Sequence, residues 1–81
     1  MITYTYHLLQ KLDERELRIG WVDRVVNKPD WTIPDPNEPG AIRAFGPVPE
    51  RDMRMMRVVY VPEGDDKRVI TAFLDRGAKR P

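Results

Sequence analysis

His7, Lys11 and Arg15 stand at successive i, i+4 positions of an 81-residue chain. A helix brings all three onto one face. His7 is the one histidine, and an imidazole titrates near neutrality, so it can serve as general acid or base. Lys11 and Arg15 beside it would make a cationic ridge. Three further polar residues, Arg43, Arg57 and Thr71, each sit in the middle of an apolar run. If those runs are neighbouring strands in register, the three converge on one face, with Phe45 and Phe73 alternating with them. The chemistry on offer is the grip of an anion. Plainer readings stand beside it. The ridge can be a solvated helix face, and His7 a capping or packing residue. Arg57 can satisfy a buried carboxylate such as Glu14, and Phe45 and Phe73 can be core or interface.

Composition sets limits on what these residues can do. The chain has no cysteine, so it has no disulfide, no thiolate nucleophile and no Cys-based zinc site. One histidine excludes a multi-histidine metal site within the chain. No apolar run approaches the roughly 20 residues of a membrane span, and the start shows no signal-peptide pattern. The expectation is a cytoplasmic protein without a membrane partner. Net charge is +1, unevenly placed: residues 1–40 hold five Lys/Arg against seven Asp/Glu, and residues 41–81 hold nine against six. The second half would thus offer a weakly basic surface to an anionic partner.

The elements that must position these residues follow from periodicity. Met53–Leu74 contains two β-branched and aromatic runs joined by Pro62-Glu-Gly-Asp-Asp-Lys67, a β-hairpin with a loop longer than the tightest turns. Met56, Val58 and Tyr60 point one way, and Met55, Val59 and Val61 the other, with Arg57 among them. A strand apolar on both faces belongs in the middle of a sheet. Upstream, Ile2–Tyr4 is a short candidate edge strand and Thr5 a candidate N-cap. Tyr6–Leu17 reads as a helix with Leu8, Leu9 and Leu12 as its stripe and Leu17 beyond. Arg18–Gly20 breaks it, and Trp21–Asn27 resumes helical spacing until Pro29. Trp31 and Ile33 form an edge strand before the proline-rich turn 34–40. Ala41–Gly46 is a further strand, and Pro47–Asp52 a loop. This order predicts an α+β fold, with two N-terminal helices packed on one face of a three- to four-stranded antiparallel sheet.

Several stretches carry a resemblance. They are His7-Leu-Leu-Gln-Lys11-Leu-Asp-Glu14-Arg15-Glu-Leu17, Trp21-Val22, Val25-Val26, Pro29-Asp30, Arg57-Val-Val and Val69-Ile-Thr71-Ala. Together they resemble a family of short uncharacterised bacterial domains. Its members open His-x-x-x-Arg-x-x-x-Arg-Gly-Ile and close with a Val-Val strand and a Val-Ile-Thr strand. This chain departs from that pattern at Lys11, usually arginine, at Glu16, usually glycine, and at Arg18, often a helix-capping serine or threonine. Lysine keeps the charge but loses the bidentate fork, and the missing glycine implies a less sharp turn.

The family is grouped by fold with the RelE/ParE/BrnT-like toxins of toxin–antitoxin systems. That grouping implies a RelE-like domain over residues 1–75, with 76–81 as a basic tail. In the RelE-like branch it implies metal-independent cleavage of messenger RNA, with no cofactor; ParE-like members act on gyrase. Such cleavage needs an acid, a base and cations for the developing charge. For that chemistry the candidate catalytic residues of this chain are His7, as acid or base, with Arg15 and Arg57 as phosphate clamps. Lys11, Arg43, Tyr60 and Thr71 would hold substrate, with Tyr6 as a further donor. The partners implied are RNA or the ribosome, and an antitoxin-like protein or a second copy. The competing expectation is a non-catalytic protein- or RNA-binding module using the open sheet face. Catalysis requires His7 and at least two arginines around one concave pocket. A binding module requires an apolar patch of Met55, Val59 and Phe73 with charges at its rim.

Overall fold

Met56, Val58 and Tyr60 are all buried beneath two helices, and the strand that carries them lies at the centre of the sheet. The computed structural model describes Met1–Pro81 and has the element order β1 (Ile2–Tyr4), α1 (Tyr6–Glu14), α2 (Ile19–Asn27), β2 (Trp31–Pro34), β3 (Ile42–Val48), a 3-10 turn (Pro49–Arg51), β4 (Arg54–Glu63) and β5 (Asp66–Leu74). The sheet has five strands in the order β1-β5-β4-β3-β2. It is mixed rather than wholly antiparallel, because β1 runs parallel to β5 while the other pairs are antiparallel. The α1–α2 pair carries the chain from β1 at one edge to β2 at the other. The β2–β5 meander then returns it beside β1.

The helices lie on one face, α1 against β5 and α2 against β3 and β4. Leu8, Leu12, Leu17, Trp21, Val22, Val25 and Val26 meet Ala44, Val48, Met56, Val58, Tyr60, Val69 and Ala72 in a single core. Full burial of one such aliphatic side chain contributes about 1.5–3 kcal/mol. Leu9, expected in that stripe, is 43% exposed. The helix turns 100° per residue, so Leu8 and Leu12 face the sheet and Leu9 falls at the flank. Thr5 caps α1 as expected, its hydroxyl accepting from the Leu8 amide at 3.1 Å.

Four boundaries differ from the periodic reading. α1 ends at Glu14 rather than Leu17, and α2 begins at Ile19, taking Gly20 into its first turn. The β4–β5 connection is shorter than expected. Pairing continues to Glu63 and Asp66, leaving Gly64 and Asp65 as a two-residue turn. Gly64 has φ +63°, which its missing Cβ permits and which the first position of a tight hairpin turn demands. β3 runs two residues past Gly46 to Val48.

Candidate functional site

The face of the sheet away from the helices carries Trp31, Phe45, Arg57 and Phe73 as one cross-strand row. Trp31 pairs with Phe45, Phe45 with Arg57, and Arg57 with Phe73. Four strands at about 4.8 Å spacing make this row roughly 14 Å long. The Trp31 and Phe45 rings stack at 4.8 Å with an interplanar angle of 12°. The Arg57 guanidinium lies over the Phe73 ring, 4.3 Å from its centroid. Its Nε sits 3.5 Å from Asp75 Oδ2. That is an ion-pair distance without hydrogen-bond geometry, and the buried Nε has no hydrogen-bond partner. A carboxylate does balance Arg57, but it is Asp75 rather than Glu14, which pairs with Lys11 on the surface of α1 at 3.2 Å.

Arg15 reaches this row from the helix side. β1 pairs with β5 only as far as Tyr4 and Val69. The outer edge of β5 beyond that point has no strand partner, and Arg15 Nη1 donates to the Ala72 carbonyl there at 2.9 Å. Its guanidinium is then 5.8 Å from the Phe73 centroid. Two of the three residues expected to be catalytic, Arg15 and Arg57, therefore meet at one aromatic ring. Arg15 has no carboxylate partner, so its charge is uncompensated.

His7 is exposed and makes no hydrogen bond or ion pair. Arg15, the C-cap of α1, stands eight positions further on, about 12 Å of helical rise. None of the three recesses on the surface is lined by His7. Arg43 shares the open face, but its Nε donates to Asp35 Oδ1 at 2.6 Å, and both side chains are largely buried. The other Asp35 oxygen accepts from the Glu38 amide at 3.1 Å, so Arg43 anchors the proline-rich turn. Thr71 is half-buried in the same cross-strand row as Arg43 and Val59. Tyr60 faces the helices and is 7% exposed, with the Lys67 ammonium 5.4 Å from its ring centroid. Tyr6 is exposed and its hydroxyl accepts from Gln10 Nε2 at 3.4 Å. No three His, Asp or Glu side chains gather as they would to hold a metal ion.

Sequence reasoning missed Trp31, Asp75 and Arg80. Trp31 and Ile33 stand two residues apart and so share one face of β2, but only the β2–β3 register sets Trp31 on Phe45. The tail turns at Asp75, whose Oδ1 accepts from the Gly77 amide at 2.9 Å. It then carries the Arg80 guanidinium over Trp31, 5.6 Å from the centroid, and Arg80 Nη2 donates to the Asp30 carbonyl at 3.4 Å. The face is thus a row of rings with a cation at each end, Arg80 beyond Trp31 and Arg15 beyond Phe73.

No helix is long and apolar enough to cross a membrane. Neither a curated protein nor a solved structure matches the chain. A family model described as a domain of unknown function (DUF4258) matches residues 4–74, which takes in every helix and strand from Tyr4 to Leu74 and the whole Phe73 row. The chain therefore belongs to the DUF4258 family.

Proposed function

We propose that this domain binds single-stranded RNA on the open face of its sheet, without catalysis. The observation that carries the reading is the approach of Arg15 and Arg57 to one Phe73 ring, with Arg15 lacking any acidic partner. A base stacks on an aromatic side chain whatever its identity, and an arginine beside it takes the phosphate. Trp31 provides a second ring roughly 14 Å away across the row. The test is fluorescence anisotropy of a short labelled RNA, single-stranded and as a duplex. Tight preference for the single strand is expected, with Phe73→Ala costing about 1–3 kcal/mol. Arg15→Ala should lower the salt dependence by about one phosphate. Equal binding by wild type and Phe73→Ala would remove the stacking reading.

A second reading, a RelE-like toxin that cleaves RNA without metal, rests on the same pair of arginines, since transition-state charge on phosphate needs such cations. It also draws on the two-helix, single-sheet architecture. The distance of His7 from the pair favours binding over cleavage. Incubation of wild type, His7→Ala and Arg57→Ala with free and ribosome-bound RNA, chelator present, separates the two. Cleavage abolished by both substitutions would restore the catalytic reading.

A further inference from the structure

A shallow recess of about 270 Å³ opens where β4 begins and β5 ends, lined by Arg54, Met55, Asp75, Arg76 and Ala78. The Asp75 amide donates to the Met55 carbonyl at 2.8 Å, which ties the two strand ends together beneath it. Neither the Arg54 nor the Arg76 side chain makes a hydrogen bond or an ion pair. The recess holds one carboxylate, Asp75, and both its oxygens are engaged. Oδ1 accepts from the Gly77 amide and Oδ2 faces Arg57. Two guanidiniums with uncommitted donors thus line a recess whose only negative charge is already balanced from behind.

We propose that this recess binds a phosphomonoester, the terminal phosphate of a nucleotide. Arg54 and Arg76 take the phosphate oxygens. A guanidinium fork matches phosphate oxygens, and a monoester near pH 7 carries close to the two charges that two arginines neutralise. Met55 and Ala78 supply an apolar surface for the sugar or base. The volume exceeds what a phosphate alone fills and falls below that of a drug-sized pocket, about 300 Å³ and upward. Asp75 joins the recess to Arg57 and so to Phe73. The inference rests on the RNA reading in one respect: it makes a phosphorylated strand end, rather than the strand interior, the feature preferred on that face.

The test has two arms. In the first, adenosine 5′-monophosphate, adenosine 3′-monophosphate and adenosine are titrated into 15N-labelled protein while the Arg54 and Arg76 Nε–H resonances are followed. Both resonances should shift with a monophosphate, with adenosine binding about tenfold more weakly or worse. In the second, single-stranded RNA bearing a 5′-phosphate, a 3′-phosphate or hydroxyls at both ends is compared on wild type and on Arg54→Gln/Arg76→Gln, with circular dichroism reporting the fold. A terminal phosphate should tighten binding about tenfold, and the double variant should erase that difference. The end that tightens binding identifies the source of the phosphate. Equal binding of adenosine and its monophosphates, or a phosphate preference that survives in the double variant, would overturn the assignment. Monophosphate binding at these two arginines without RNA binding would uphold the recess and remove the RNA reading alone.

Discussion

The Leu17 amide donates to the Leu12 carbonyl at 2.9 Å, and both side chains are buried in the same core. With the Glu16 amide on the Asp13 carbonyl at 3.1 Å, this forms the paired 6→1 and 5→2 bonds of a Schellman helix end. The residue between, Glu16, must then be left-handed, and its φ is +56°. A side chain there meets the backbone, at a cost of roughly 1–2 kcal/mol. The turn is therefore as sharp as a glycine would make it, contrary to the expectation from the missing glycine, and the strain is carried by Glu16. Glu16→Gly should raise unfolding free energy by about 1 kcal/mol, a rise in Tm of about 4–8 °C for a domain this size. Urea unfolding checks it; no gain would show that the turn relaxes around Glu16.

Arg18 occupies the N-cap of α2 in an extended conformation, with no side-chain hydrogen bond to the helix. The free amides of the first turn thus have no side-chain acceptor from that position. Arg18→Asp should supply an acceptor and place a negative charge at the positive end of the helix, stabilising by about 0.5–2 kcal/mol. Thermal unfolding of Arg18→Asp against Arg18→Ala distinguishes capping from simple removal of a cation.

Val25 on α2 lies directly over Gly46 on β3. A Cβ built at Gly46 would come within 3.2 Å of Val25 Cγ2. Gly46 is buried, so the helix approaches the sheet through the space a side chain would fill. Gly46→Ala should destabilise, and Val25→Ala should relieve part of that clash in the double variant. A double-mutant cycle is expected to give a coupling of at least about 0.5 kcal/mol. Additive effects would mean that Val25 simply rotates away.

Arg24 and Glu50 join α2 to the 3-10 turn by two hydrogen bonds of 2.7 and 3.1 Å. The side-chain hydrogen bond from Arg24, then a backbone hydrogen bond, hold Glu50 below its ordinary 4.5. The same bond raises Arg24. A carboxylate with a depressed folded pKa contributes stability above its unfolded pKa and loses it as pH falls through the folded value. Wild type should therefore lose a small increment of stability below about pH 4.5 that Glu50→Gln does not lose, and added salt should shrink it, since both groups are exposed. Urea midpoints on both sides of that pH, at two salt concentrations, measure it.

Local pattern determined the elements of this protein. Met55–Val61 is apolar on both faces, so it had to be central, and it is. Arg43 and Phe45 share one face of their strand, as Thr71 and Phe73 do of theirs, and the strand period of two puts all four away from the helices because Ala44 and Ala72 between them are core. Capping by Thr5 and the stop before Pro29 follow from single-residue chemistry. Glu16, with φ +56°, and Arg18, an N-cap without a side-chain hydrogen bond, are the strained and the uncapped positions of the helical pair.

Pairing was decided only by the tertiary structure. Three residues in β1 carry too little pattern to choose a partner, and the helical crossover, not the strand's own sequence, sets it parallel to β5. Register across four strands, which no local signal encodes, made a row of Trp31, Phe45, Arg57 and Phe73. The partners of the arginines depend on the same long-range geometry. Asp35 neutralises Arg43 and Asp75 balances Arg57, while Arg15 turns to the β5 edge because β1 stops short of Ala72 and leaves its carbonyl unpaired. Residue type and helical spacing made His7, Lys11 and Arg15 equivalent; the length of one edge strand separated Arg15 from the other two.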